Sequence, residues 1–306
     1  MSFHVIVGAG PIGTGTALQL VDRGHQVRII TRSGSGPSHD RIELVAADAT
    51  DVARLVELSE GAHSLYNCAN PPYDKWPTAW PPLSASLIRA ATATGARLVI
   101  MSNLYGYAEN SSPMRATDPL DPPSKKGAVR AQMWRDALAA HEAGEIQATE
   151  LRASDFFGPG LGQGAQLGDR VVPKALAGKN VSVVGDPDAP HSWTFVDDIC
   201  VALATLGTDD RSLGRAWHAP TAPPQSARQM VTQLCQAAGV KPVKVKPVPP
   251  LMLKAMGLVV PAVGELGEML YQFEEPFIID ATDTEETFGI TYTPLDSQLE
   301  KTVAGC

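Results

Sequence analysis

The chain predicts an α/β fold: a doubly wound parallel sheet with a smaller, irregular C-terminal domain. Three observations carry that expectation. An apolar run, Phe3 to Val7, passes through Gly8-Ala9-Gly10-Pro11-Ile12-Gly13 into an Ala/Leu-periodic stretch, Thr14 to Val21. Strand-like and helix-like patterns then alternate to about residue 155, the signature of parallel strands joined by helices. Past residue 158 the periodicity breaks up at Gly158-Pro159-Gly160, Pro187 to Pro190, Pro220 to Pro224 and Pro242 to Pro250.

In order, the pattern places strands at 3–8, 26–31, 42–46, 63–67, 97–102 and 147–152. Helices are predicted at 12–23, 51–59, 82–94 and 127–143. Gln26-Val27-Arg28-Ile29-Ile30-Thr31 reads as a buried parallel strand. Trp193 to Leu206 again reads as strand then helix, so residues 193–219 are assigned with 1–158 to the first domain. Residues 159–306 otherwise form the second, interleaved with the last strands of the sheet.

The 306 residues are 44% hydrophobic and 19% charged, within the range of ordinary soluble globular proteins. A net charge of −8 argues against nucleic acid and against an anionic membrane surface as partners. Cys68, Cys200, Cys235 and Cys306 fall at no disulfide or metal-ligand spacing, and read as reduced thiols of a cytoplasmic protein. No charged-then-apolar leader precedes the first strand. Leu251 to Leu266 is apolar but contains Lys254, Pro261 and Glu265, too short and interrupted to span a bilayer; it is expected to form a buried or substrate-facing helix pair.

The glycine-rich turn has a strand before it and a helix after it, the context in which G-x-G-x-x-G binds a dinucleotide. Gly8 permits the turn, Gly10 lets the backbone approach a pyrophosphate, and Gly13 lets the helix lie close on the strand. Pro11 and Ile12 open the helix whose N–H groups and dipole face the phosphates. An acidic residue would ordinarily end the second strand to bind an unphosphorylated ribose; Thr31-Arg32-Ser33 stands there instead. One guanidinium and two hydroxyls suit a ribose phosphate, so NADP(H) is favoured over NAD(H). Asp48 is placed either to accept from the adenine amino group or to cap the helix starting near Asp51.

The strand ends, taken as a set, resemble the extended and atypical branches of the short-chain dehydrogenase/reductase superfamily, close to the NAD-dependent epimerases and dehydratases. The resemblance rests on Gly8 to Gly13, Ala47-Asp48-Ala49-Thr50-Asp51, Tyr66-Asn67-Cys68-Ala69-Asn70 and Met101-Ser102-Asn103-Leu104-Tyr105-Gly106-Tyr107. It continues through Leu151 to Gly160 and Ser192 to Asp198. It implies a Rossmann sheet with Asp48 and Ala49 near the adenine and Cys68, Ala69 and Asn70 near the nicotinamide. It also implies a substrate oxygen bound by Ser102 or Asn103, and a homodimer through the helices at 82–94 and 127–143.

The family's Tyr-x-x-x-Lys is absent. Lys126 falls on the Tyr position and Arg130 on the Lys position, a pattern similar to that of isoflavone-reductase-like NADPH-dependent reductases, in which such a Lys takes part in proton transfer. Tyr105 and Tyr107 are further candidates for a proton-donating phenol. Asp155 matches a substrate-facing position commonly held by Asn, with Phe156 and Phe157 expected to wall it in. Tyr73, Tyr107, Phe156 and His191 complete the candidate substrate contacts. Arg170 and Lys174 are candidates for a substrate phosphate, whereas Lys179 and Arg211 read as loop charges. Three classes stay open: an NADP(H)-dependent oxidoreductase acting on a carbonyl, enone or hydroxyl of a small, largely apolar molecule; an epimerase or dehydratase; and a non-catalytic NADP(H)-binding sensor or scaffold.

Overall fold

The computed structural model describes residues 1–109, 111–249, 252 and 265–306. Thirteen strands among them are β1 (Phe3–Val7), β2 (Gln26–Thr31), β3 (Ile42–Ala46), β4 (Ser64–Asn67), β5 (Arg97–Asn103), β6 (Met114–Arg115), β7 (Ala148–Ala153), β8 (Asp155–Phe157), β9 (Val181–Val183), β10 (Trp193–Phe195), β11 (Ala216–His218), β12 (Val245–Pro247) and β13 (Ile279–Asp280). The principal helices are α1 (Pro11–Asp22), α2 (Val52–Ser59), α3 (Trp76–Thr94), α4 (Lys125–Glu142), α5 (Val172–Leu176), α6 (Val196–Leu206) and α7 (Ala227–Ala237).

Seven strands form one parallel sheet in the order β11-β7-β5-β4-β1-β2-β3. The chain runs outward from β1 to β3, then returns to the other side of β1 through β4. Between β1 and β4 the loops therefore diverge, opening a crevice at the strands' carboxyl ends. Both faces are covered, which explains strands such as Val5-Ile6-Val7 and Leu98-Val99-Ile100 being apolar throughout. One face packs on α2, α3 and α4 through Leu55, Trp80, Leu87 and Ala137; the other packs on α1 and α6 through Leu20, Ile199 and Leu203. A smaller core of Phe157, Val172, Val183, Phe195, Met230 and Leu234 joins α5, α7 and the short strands.

The helix predicted at 82–94 begins six residues earlier, at Trp76. Pro81 and Pro82 lie inside it, and each lacks the N–H that a helix interior uses. The helix continues through them because Trp76 and Trp80 are buried at 3% and 0% exposure, with the Arg130 guanidinium 4.6 Å and 4.2 Å from their ring centres. That packing outweighs two missing backbone bonds. The stretch expected as a late helix pair, Leu251 to Leu266, lies almost wholly outside the described residues. Among the described residues, no helix is long and apolar enough to cross a membrane.

Candidate active site

The turn after β1 is shaped by backbone contacts. Gly8 has φ +105°, and a Cβ there would lie 2.7 Å from the Cys68 carbonyl oxygen; at Gly13 a Cβ would collide with the Gly8 carbonyl oxygen. Both positions thus require glycine on the protein's own account. Gly10 differs: its φ is −69° and nothing lies within 4 Å of its missing Cβ. It caps α1 without a side-chain hydrogen bond, and the first turn holds no acidic residue. The exposed N–H groups of that turn suit an anion.

At the end of β2, the Thr31 hydroxyl accepts from the Ser35 N–H at 2.9 Å, and the Ser33 hydroxyl donates to the Ser35 hydroxyl at 3.0 Å. Arg32 is exposed beside this turn. Asp48 Oδ1 accepts from the backbone and hydroxyl of Thr50 at 2.9 Å and 2.8 Å, which holds its carboxyl below the usual carboxylate range. The α2 cap is Asp51, accepting from the Arg54 N–H. Ala49 is buried in the core with Val5 and Val7.

A cleft of about 470 Å³ opens at the carboxyl ends of β1, β4, β5 and β7. Gly10, Pro11, Ile12, Cys68, Ala69 and Asn70 form its first wall. Ser102, Asn103, Tyr105, Arg130 and Asp155 line the opposite side, and Tyr73, Trp76, Phe156, Leu161, Val184 and Phe273 give it an apolar rim. Asn103 Oδ1 accepts the Tyr105 N–H at 3.2 Å and so shapes the loop, whereas Ser102, at the end of β5 and 4% exposed, keeps its hydroxyl toward the cleft. The Tyr105 phenol faces Tyr73, Gln272 and Asp155; burial and the Asp155 charge push it up to about 12.

Arg130, on α4, lines the cleft. Its Nη1 lies 3.4 Å from the Met101 carbonyl oxygen, and burial lowers the guanidinium to about 10. Lys126, one turn earlier, is 1% exposed and is not part of that wall. Its Nζ lies 2.9 Å from Glu268 Oε1 and 4.5 Å from the centre of the Tyr73 ring. Burial raises the Glu268 carboxyl, but the Lys126 ammonium and the Lys125 N–H outweigh it and hold the group below its ordinary value.

Tyr107 is set aside as a substrate contact. It is 1% exposed, its hydroxyl 2.7 Å from His218 Nε2 and 2.7 Å from Arg152 Nη1, with Arg152 in turn 2.6 Å from Glu150. It belongs to a buried polar network under β7 and β11. Phe157 is likewise turned away, into the small core beside Phe195. The wall expected behind Asp155 is instead His191, 3% exposed, whose Nε2 lies 2.8 Å from Asp155 Oδ2. Arg170 lines the far end of the cleft. Lys174 is exposed on the last turn of α5, and Arg211 is spent on Asp209 at 2.6 Å. Gln272, Phe273 and Phe277 also line the cleft. Sequence patterning missed all three, since nothing local marks a segment so far along the chain as part of a site built by β1 to β7.

The fold and cleft define a dinucleotide-type α/β protein, and comparison places it further. The family model described as NAD dependent epimerase/dehydratase family matches residues 4–217, and the chain belongs to that family. No curated protein matches it. Among solved structures, UDP-glucose 4-epimerase from Thermotoga maritima with UDP-glucose superposes with a TM-score of 0.80 at 18% identity, covering 99% of this chain and 98% of that one. UDP-glucuronic acid 4-epimerase from Bacillus cereus in complex with NAD gives 0.80 at 17% identity, covering 99% and 96%. A dTDP-glucose 4,6-dehydratase variant from Streptomyces venezuelae with NAD bound gives 0.79 at 19% identity, covering 100% and 96%. At such identities these likenesses speak for the fold.

Proposed function

We propose that this chain is a nicotinamide-dinucleotide-dependent oxidoreductase acting on a hydroxyl, carbonyl or enone of a small, largely apolar molecule, with NADP(H) as its dinucleotide. The observation that carries the proposal is one continuous cleft joining the uncapped N-terminus of α1 to Ser102, Tyr105 and Asp155. Gly10 to Gly13 would hold the pyrophosphate, Arg32 and Ser33 the ribose phosphate, and Cys68 to Asn70 the nicotinamide side. Asp48 stays a candidate for the adenine end, although its carboxyl already serves Thr50. When bound, the dinucleotide supplies or receives a hydride.

The chain's own groups bind and orient the substrate. Ser102 donates to its oxygen, and Tyr105, held protonated by burial, donates beside it. Arg130 brings a fixed positive charge to the cleft, stabilising negative charge that develops on that oxygen. Trp76 and Phe156 exclude water. Lys126 is moved from proton donor to a supporting role, because it is already committed to Glu268 and the Tyr73 face.

Family membership favours a second reading, an epimerase or dehydratase, in which oxidation and re-reduction occur at one visit. Titration with NADPH and NADH by fluorescence, followed by a panel of ketones, enones and secondary alcohols, tests the first. Net nicotinamide oxidation or reduction supports it. Nucleotide-sugar conversion without net nicotinamide change assigns the second, and dinucleotide binding with no turnover of either kind leaves a sensor.

A further inference from the structure

His191 stands between two acceptors. Phe273 and Phe277 stack on it at 5.6 Å and 5.3 Å between ring centres, and Trp193 packs at 4.4 Å. Its Nδ1 is 3.1 Å from the Gln272 carbonyl oxygen and its Nε2 2.8 Å from Asp155 Oδ2. A carbonyl oxygen only accepts, so Nδ1 bears a hydrogen. The second contact also needs a hydrogen, on Nε2 or on the carboxyl; otherwise a bare nitrogen lone pair would face a bare carboxylate. The opposite neutral tautomer fares no better, since it turns the Nδ1 lone pair on the carbonyl oxygen. Both contacts are made only when the pair holds at least one proton more than neutral histidine beside carboxylate, and a second one, on Asp155 Oδ1, arms the pair as an acid.

The location matters equally. Asp155 opens β8, and the parallel pairing of β8 with β10 sets it opposite Trp193, two residues beyond His191. Its carboxyl lines the cleft, and Oδ1 has no hydrogen-bond partner among the described residues. The titratable groups facing it are the phenols of Tyr73 and Tyr105, both pushed up by burial and so held protonated. Arg130 bears on Tyr105, and Glu268 on Tyr73. Those phenols orient; neither releases a proton readily.

We infer that Asp155 and His191 form one acid–base relay, passing a proton between Asp155 Oδ1 and an oxygen of the substrate. The inference rests on the function proposed above. In the acid direction the Oδ1–H bond breaks and a new O–H bond forms on the substrate oxygen, the electron pair staying on the carboxyl. In the same event the Nε2 hydrogen moves to Oδ2, leaving neutral His191 with its hydrogen on Nδ1. The base direction reverses each transfer, and exchange with bulk solvent between turnovers restores the proton balance. In both states the two contacts of His191 keep their hydrogens, which is what the fixed ring geometry requires.

The test is carbon and nitrogen NMR of the full chain labelled at Asp carboxyls and His ring nitrogens, from about pH 3 to about pH 10, a span wide enough for free carboxyl and imidazole groups. The expected result is that the Asp155 carboxyl carbon and His191 Nε2 move together, sharing the midpoint of each step, because the protons belong to the pair. His191→Gln, which keeps a hydrogen bond but holds no proton, should leave Asp155 titrating alone. Separate midpoints in the unmodified protein, or a His191 ring that never responds while Asp155 titrates, overturns the relay. The same samples titrated with NADPH test the underlying function separately, because failure to bind dinucleotide removes that function without touching the co-titration.

Discussion

The two walls of the cleft are built by different means. On the dinucleotide wall the chemistry lies in the backbone: N–H groups at the start of α1, and a turn that Gly8 and Gly13 hold tight against Cys68. On the substrate wall it lies in side chains set by distant partners, such as Asp155 with His191 and Arg130 with Trp76 and Trp80. A backbone site is local, so a few residues in order suffice to specify it. A side-chain site can be rebuilt one contact at a time within the same fold, because each contact comes from a separate part of the chain.

The sharpest break of this comparison is Gly10→Val. Because the space beside Gly10 is open, the variant should fold with an unchanged thermal midpoint, while its new side chain fills the place of the pyrophosphate. NADPH binding should fall below detection in a fluorescence titration. Normal binding would show that the loop is only a turn. Gly8→Val, by contrast, should lower the thermal midpoint itself, since its Cβ would press on Cys68 at positive φ.

The second expected effect lies on the substrate wall. Asp155→Asn should lower kcat by about 100-fold or more, the usual span for a lost acid–base group, with NADPH affinity unchanged. Lys126→Met should act chiefly on stability, because it breaks the ion pair with Glu268 and the contact with Tyr73. If Lys126→Met caused the larger kcat loss, the proton-transfer role would return to α4.

These contrasts explain what could be read from the residues in order. The strand ends from Gly8 to Asn103 were legible because each follows its own strand by a fixed few residues, and their order across the sheet follows from alternation. The start of α3 was not: the helix runs through Pro81 and Pro82, and the burial of Trp76 and Trp80 against Arg130 joins residues far apart in the chain. Tyr107 looked like a phenol for the cleft because Arg152 and His218, which hold it inside, come much later in the chain. The ion pair of Lys126 with Glu268 was not legible, because Glu268 lies beyond an apolar stretch with no pattern pointing back to α4. Asp155 and His191 were each visible as candidates, but their pairing needs β8 beside β10.

A third prediction measures the outer end of the dinucleotide wall. Arg32 stands exposed beside the Thr31 and Ser33 hydroxyls, so Arg32→Ala should weaken NADPH by about 1.5–3 kcal/mol, the worth of one charge-assisted contact. NADH should be nearly unaffected. Equal affinities for the two dinucleotides in the unmodified protein would remove the NADP(H) preference and leave the rest of the wall intact.

The smallest effect belongs to the opposite edge of the sheet, at the amino ends of its strands, and serves as a control on both walls. His4 is fully buried beside His25 and His63, neither ring nitrogen has a hydrogen-bond partner among the described residues, and burial lowers it from 6.5 to about 3. A depressed histidine means that the unfolded chain binds the proton more readily than the folded one. Stability is therefore fully present above about pH 6.5 and declines as pH falls toward 3, by about 1.4 kcal/mol per unit for this group. His218, lowered to about 4 by burial, adds the same sign over a narrower window. Denaturant unfolding at about pH 7.5 and about pH 5.5 should show the loss, and His4→Leu should reduce it by about 1.4 kcal/mol without altering NADPH affinity. A pH dependence identical in His4→Leu would mean that the His4 ring takes up its proton in the folded chain, and that this edge of the sheet admits water.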